Sequence, residues 1–240
     1  MKILIILLTL NIFISAKTIC NLSTEREIRT CLQNNYSKTK SLGYRQARDI
    51  MFSSLDNERG MVQLVYSGAW YQTNRIPEHT IVNTEHTWPK SKFKGLSAKA
   101  DLHHLYPTYN RINGKRGNKS FAEIPDNLTK SWLIDNNKGS KRKPNNRNIN
   151  NYSESYKNLF EPREAHKGAV ARSMFYIHAL YNHSNLDSRW FYSQLKTLKM
   201  WDKQYPVTRK EFQRTKNIQK VQGNYNPFVL DGSLANRLYR

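Results

Sequence analysis

The chain has 240 residues, and 39 lysines and arginines against 18 aspartates and glutamates leave a formal net charge of +21. With 38% hydrophobic and 12% aromatic residues it can bury a core, which excludes a disordered chain and suits one large domain or two tightly joined lobes. The charge points to a polyanionic partner, nucleic acid or an anionic lipid surface, but does not separate binding from chemistry.

Met1 and Lys2 precede an apolar run over 3–14, interrupted only by Thr9 and Asn11, and the small residues Ser15 and Ala16 follow. This reads as a secretory signal peptide at 1–16 with cleavage after Ala16, because the run falls short of the about 20 apolar residues that a membrane span needs. A secreted or periplasmic protein is expected. In an oxidising compartment Cys20 and Cys31, the only cysteines, are expected to close one short loop; the alternative is two unpaired thiols. Neither stands at zinc-ligand spacing.

Residues 24–59 read as helical, with Gly60 as a stop, and 61–66 (MVQLVY) as a strand turning at Ser67 and Gly68. Further strands are expected around 80–82 and 102–106, the latter bounded by Pro107, and a helix starts after Thr108 despite Gly114. Residues 126–158, including KGSKRKPNNRNINN, lack apolar periodicity and read as a long solvated basic loop. Helical order returns after Pro162, first through Ala169, Val170, Phe175, Ile177 and Leu180. A second helix follows through Trp190, Phe191, Leu195, Leu198 and Trp201. A third runs from a Thr208 cap to Gln222, with Phe212, Ile218 and Val221 inward and Gly223 as a stop. The sequence shows no internal repeat.

Chemistry-bearing residues crowd into one stretch: Glu85 and His86, then Asp101, His103 and His104, then Asn113, Gly114 and Arg116. Hydrolysing a phosphodiester needs a base, a cation and donors that hold the phosphate in line. His86 is the candidate base, since an unshifted imidazole is largely neutral near pH 7. Glu85 and Asn113 offer two oxygen ligands, which suits Mg²⁺. Arg116 can grip a phosphate oxygen, its bland alternative being an ion pair with Glu123. Adjacent residues of a strand face opposite sides, so Glu85 and His86 are expected to share a site only if the strand ends there, as Pro89 would allow. His103 and His104 should likewise alternate, one facing the core and one solvent or the site. With His86 they could form a zinc site, although their spacing fits no ligand pattern. The residues therefore point to metal-dependent phosphodiester hydrolysis. Two alternatives stay open: a cationic nucleic-acid-binding protein without catalysis, and another metal-dependent phosphoesterase.

The strings NTEHTWPKSKF at 83–93 and ADLHHLYPTYNRINGKRGNKSF at 100–121 resemble the signature of the bacterial endonuclease I family of secreted or periplasmic nucleases. KGAVARSMFYIHALY at 167–181 and QGNYNPFVLD at 222–231 are similar to it as well. The resemblance implies an α+β fold: a largely helical single nuclease domain over 17–240 with a ββα-metal, or His-Me finger, core at about 79–121. It also implies that His86 is the general base and that Glu85 and Asn113 hold a divalent cation, usually Mg²⁺, with Mn²⁺ or Ca²⁺ as replacements. DNA and RNA would be cut with little sequence preference by a monomer, leaving 5′-phosphate and 3′-hydroxyl ends. Arg116 and Asn118 match the family string and are expected as phosphate or substrate contacts.

Two positions depart from the family pattern. Ser67, in YSGAW at 66–70, stands where several relatives carry Cys, so their disulfide pattern does not transfer. Arg214 matches a family Arg, but Thr215 stands where Asn is usual, a change expected to affect packing more than catalysis.

Overall fold

Thr24 opens the first helix: its hydroxyl accepts from Glu27 N at 3.2 Å while the Glu27 carboxylate accepts from Thr24 N at 3.1 Å, a reciprocal cap. The computed structural model describes residues 18–95, 98–136 and 139–240, so the expected signal segment at 1–16 lies outside the described residues. From the cap run α1 (Glu25–Tyr36) and, after a break over 37–43, α2 (Tyr44–Ile50), which widens into a π-helical turn at Met51–Leu55. The single helix expected over 24–59 is thus two, and its last residues already form β1 (Asn57–Glu58). A tight turn with positive φ at Arg59 and Gly60 leads to β2 (Met61–Gln63), and β3 (Trp70–Gln72) completes an antiparallel three-stranded sheet. β2 stops before the expected 66 because Leu64 O accepts from both Ser67 N and Gly68 N, closing a turn. Gly68 has φ +74, and a Cβ there would meet the Arg163 guanidinium at 2.6 Å.

β4 (Val82–His86) and β5 (Leu105–Tyr109) pair antiparallel, and α3 (Asn110–Arg116) follows directly. β5 starts later than expected because Asp101 caps a 3₁₀ turn at Leu102–His104, accepting from His103 N at 2.9 Å. β6 (Ser120–Phe121), β7 (Ser131–Leu133), β8 (Ser153–Tyr156) and β9 (Leu159–Glu161) form a second sheet in the order β6-β9-β8-β7. The basic segment expected to be loop throughout 126–158 therefore contributes two strands. Trp132 and Leu133 are buried, and Ser153 is satisfied by donating to Tyr66 O at 2.7 Å and accepting from Arg163 N at 3.0 Å. Polar residues whose partners are distant in sequence carry no periodicity to read.

α4 (Glu164–Leu180) is buried on nearly all sides, the arrangement for a helix at the centre of a core. The helix expected over 190–201 is two, α5 (Ser188–Tyr192) and α6 (Leu195–Gln204), because buried Gln194 bridges Phe121 N and Trp190 O at the junction. Thr208 caps α7 (Arg209–Gln222), accepting from Glu211 N at 3.1 Å, and left-handed Gly223 ends it. α7 turns Thr215, Ile218 and Gln222 inward, whereas Phe212 is only half-buried. α8 (Pro227–Leu230) and α9 (Leu234–Leu238) close the chain. Thr215 Oγ1 accepts from Asn226 N at 2.8 Å, so the unusual residue has a structural bond. Arg214 grips Asp56 through Nε and Nη2 and donates to Leu102 O and Leu105 O, fastening α7 to the start of β5.

Two apolar clusters result. One surrounds α4, with Trp88, Ile112, Phe175, Phe191, Trp201 and Phe228; the other lies between α2 and the β4–β5 pair, with Met51, Phe52, Val62, Val82, Leu105 and Ile218. The β4–β5–α3 unit sits between them. No helix among the described residues is long and apolar enough to cross a membrane.

Cys20 and Cys31 are joined as a disulfide, and the segment before it is strapped to the C-terminal end: Ile19 N donates to Asp231, and Arg237 donates to Ile19 O and Cys20 O. With a sequence separation of 11, loop-closure entropy makes the disulfide worth about 2–3 kcal/mol. Replacing both cysteines with serine is expected to lower the unfolding free energy by about that amount, measured by urea unfolding followed by fluorescence.

Candidate active site

β4 presents its residues alternately, so Thr84 and His86 leave one face and Glu85 the other. Both Glu85 and His86 lie within the paired strand, opposite Tyr106 and Leu105, so the strand does not end between them as expected. Their faces meet instead along an unpaired edge. Thr84 and Pro107 form a non-hydrogen-bonded pair of the antiparallel ladder, so the backbone polar groups of both face away from the partner strand: Pro107 O accepts from Val65 N at 2.9 Å, and the missing N–H of Pro107 costs the ladder nothing. Thr84 O faces the open edge of β4 toward α3, where it accepts from Asn113 Nδ2 at 3.1 Å. That bond engages the amide nitrogen of Asn113 and leaves Oδ1 as the acceptor atom of the side chain.

Glu85 is buried among donors. Its Oε1 accepts from Tyr66 OH at 2.9 Å and lies 3.1 Å from Arg116 Nε, close enough for an ion pair though not aligned as a hydrogen bond. Burial raises its carboxyl to about 7, against the opposing pull of Arg116 and the Tyr66 hydrogen bond. Oε2 makes none of these contacts.

Arg116 is not placed as a surface phosphate contact. Its side chain has 0% exposure, its Nη atoms donate to Thr87 O at 2.7 Å and Gly117 O at 2.8 Å, and it lies over the Phe121 ring. Nor does it pair with Glu123, which binds Lys167 instead. Asn118 is exposed just beyond α3 and donates to Ser91 Oγ at 3.4 Å, away from the Glu85 carboxylate.

His86 is 6% exposed, with Nε2 3.0 Å from Lys99 O. A carbonyl can only accept, so Nε2 carries the proton and Nδ1 keeps its lone pair. Burial, with His104 at 5.3 Å between rings, holds the imidazole well below its usual range, so it is neutral at pH 7. His103 and His104 do not alternate on a strand. Both are buried in the 3₁₀ turn, bonded to Asn224 O and Ala98 O and depressed by burial to about 4. No group of three or more His, Cys, Asp or Glu positioned for a metal occurs among the described residues, so the zinc alternative gains no support. Asp101, buried at the same turn, accepts from Tyr176, Tyr181 and Gln222 and serves as a hub of the fold.

The structure thus brings Glu85, His86 and Asn113 to one strand edge, turns Arg116 inward and leaves Asn118 outside. Tyr66, Thr84, Thr87 and the Lys99 carbonyl, which orient them, carry no local signature in the sequence. The Thr84–Pro107 pairing is legible only once the register is known.

The family model described as Endonuclease I matches residues 16–232. Endonuclease-1 of Buchnera aphidicola subsp. Acyrthosiphon pisum is 30% identical over 138 residues, 58% of this chain and 46% of that protein. A periplasmic deoxyribonuclease of Aeromonas hydrophila is 28% identical over 134 residues, covering 55% of this chain and 47% of that protein. An extracellular ribonuclease of Bacillus amyloliquefaciens is 31% identical over 163 residues, covering 61% and 50%. The chain's match spans about half the length of these relatives.

A buried charge left without its partner costs about 3–5 kcal/mol, whereas loss of an exposed phosphate contact costs almost no stability. Arg116→Met is therefore expected to destabilise the protein by about that amount, and Glu85→Gln in the same chain to restore part of it. A double-mutant cycle by urea unfolding measures both; an Arg116→Met variant as stable as the parent would place the guanidinium at the surface.

Proposed function

This chain belongs to the Endonuclease I family, and on that premise we propose that it is a metal-dependent, sequence-non-specific endonuclease whose β4–β5–α3 unit works as a His-Me finger. The observation that carries this reading is the neutral, half-fixed imidazole of His86 beside the edge where Glu85 and Asn113 offer oxygens. DNA and RNA are both assigned as substrates, because relatives described as a deoxyribonuclease and a ribonuclease match the same chain. Relatives described as periplasmic and extracellular support export, which the signal-like segment at 1–16 would direct.

The donor set suits a hard cation. One carboxylate and one amide oxygen match Mg²⁺, which keeps several waters and is held by few protein groups; Mn²⁺ and Ca²⁺ take the same atoms. A buried carboxyl at about 7 without a cation is also the kind of group that a cation ionises. When bound, such a cation supplies neutralisation of the charge that develops on the phosphate and the departing oxygen.

His86 Nδ1 takes the proton of the water aligned with the phosphorus. The imidazolium that results keeps its Nε2 proton on the Lys99 carbonyl, which holds the ring in place and stabilises the new charge. Attack of the water oxygen on phosphorus breaks the bond to the 3′ oxygen, which takes up a proton from solvent, and leaves 5′-phosphate and 3′-hydroxyl ends. Contacts to the phosphate backbone alone carry no base information, so cleavage is non-specific and salt-sensitive.

Supercoiled plasmid incubated with the protein in Mg²⁺ or EDTA, beside His86→Ala, tests this reading. Cleavage is expected only with Mg²⁺, and the variant is expected to lose about 10²–10⁴-fold in rate. DNA binding without cleavage in every lane would make the protein a cationic nucleic-acid binder. The pH profile follows from the same imidazole. A base whose folded pKa is pushed below 6.5 stays neutral on moderate acidification, so at saturating Mg²⁺ the acid limb of kcat/KM should lie below pH 6.5. A limb at or above 6.5 would remove His86 from the role of base.

A further inference from the structure

Beside the solvent edge of His86 stands a group of side chains that the proposed chemistry does not use. Tyr44, the first residue of α2, lies 5.4 Å from the His86 ring, centroid to centroid. Two cations approach the Tyr44 ring: Lys99 Nζ at 4.9 Å and the Arg48 guanidinium at 5.7 Å from its centroid. All three residues are half-buried. No ion pair joins Arg48 or Lys99 to a carboxylate among the described residues.

Both cations are held in position by the candidate active site itself. Arg48 Nε donates to Thr84 Oγ1 at 3.1 Å, while Thr84 O holds Asn113, so one residue orients the guanidinium and the amide ligand together. The bond occupies Nε and leaves the two Nη groups as an open fork, the geometry that matches phosphate oxygens. Lys99 is fixed through its backbone, whose carbonyl receives His86 Nε2, so its side chain starts from a defined point next to the base. Two like charges kept within reach of one ring, with no acid between them, repel each other unless an anion lies between.

We infer that Arg48 and Lys99, set on Tyr44, form a phosphate-binding subsite on the His86 side of β4, which takes the backbone phosphate next to the one that is cleaved. This rests on the nuclease reading for the identity of the polyanion. The subsite contacts no reacting atom; it holds the strand so that the scissile phosphate stays at the Thr84–His86 edge. The aromatic face of Tyr44, already covered by the two cations, orders them rather than stacking on a base.

The test uses Arg48→Met and Lys99→Met, with Lys196→Met on exposed α6 as a control and thermal melting to verify folding. Binding of a fluorescein-labelled DNA duplex is followed by anisotropy in EDTA at several salt concentrations. Each subsite variant is expected to weaken binding and to lower the slope of log K against log salt by about 1, the loss of one phosphate contact, while the control changes it less. In Mg²⁺, kcat/KM on DNA is expected to fall by about tenfold in each variant, a loss typical of one charged contact. Hydrolysis of thymidine 5′-(p-nitrophenyl phosphate), a diester with no neighbouring phosphate, is expected to stay at the parent rate in Arg48→Met, whose side chain does not touch His86.

An unchanged salt slope in folded variants would overturn the subsite, as would an equal loss on DNA and on the small ester in Arg48→Met. Absence of any Mg²⁺-dependent cleavage by the parent protein would instead defeat the nuclease reading, with the salt slopes in EDTA still deciding whether Arg48 and Lys99 hold phosphate.

Discussion

The buried pair of Glu85 and Arg116 is the constraint around which the candidate site is assembled. A carboxylate and a guanidinium taken fully out of water are tolerable only with near-complete hydrogen bonding. Here Tyr66 OH bonds one carboxylate oxygen, and Thr87 O and Gly117 O take the two Nη groups, leaving Arg116 Nε in ion-pair contact with Glu85 alone. Because those partners come from the turn after β2, the end of β4 and the end of α3, meeting their bonding needs also fixes the helix against the strand. Asn113 lies on that same helix, so its bond to Thr84 O inherits the placement.

The second constraint is the open edge of β4. Thr84 stands at a non-hydrogen-bonded position of the β4–β5 ladder, so its carbonyl faces that edge and becomes the acceptor that orients Asn113. Thr84 then acts in two directions, its carbonyl toward α3 and its hydroxyl toward Arg48 on α2. The strand edge thus joins the Glu85 face, which is dominated by a buried ion pair, to the His86 face, which is lined with cations and rings.

The distribution of acids sharpens the charge seen from outside. Asp56 is bound to Arg214, Asp202 and Glu211 to Arg172, and Glu161, with Glu123 and Glu164, to Lys167. Many of the 18 acidic residues therefore neutralise cations within the fold. Among the described residues Arg48 and Lys99 beside His86, and Lys141, Arg142 and Arg147 of the basic stretch, form no such ion pair, so positive charge is left for a polyanion to meet.

The sequence by itself determined what depends on local chemistry. The Thr208 cap and the Gly223 stop bound α7 because capping is decided within one turn. The apolar run after Pro162 becomes α4, and Glu85, His86 and Asn113 stand out by their chemistry and spacing as a candidate base and two candidate oxygen ligands. Tertiary structure decided whatever depends on partners far along the chain. Residues 131–133 and 153–156 became strands because distant groups satisfied their polar atoms, and Gln194 divided a helix by reaching Phe121. Arg116 turned inward because the fold brings it a buried counter-charge, Glu85, together with two carbonyl acceptors, Thr87 O and Gly117 O, that are absent from any local stretch of sequence. Register settled the rest: the alignment that sets Thr84 opposite Pro107 decides which β4 carbonyls face the open edge, and no pattern in either strand alone encodes that alignment.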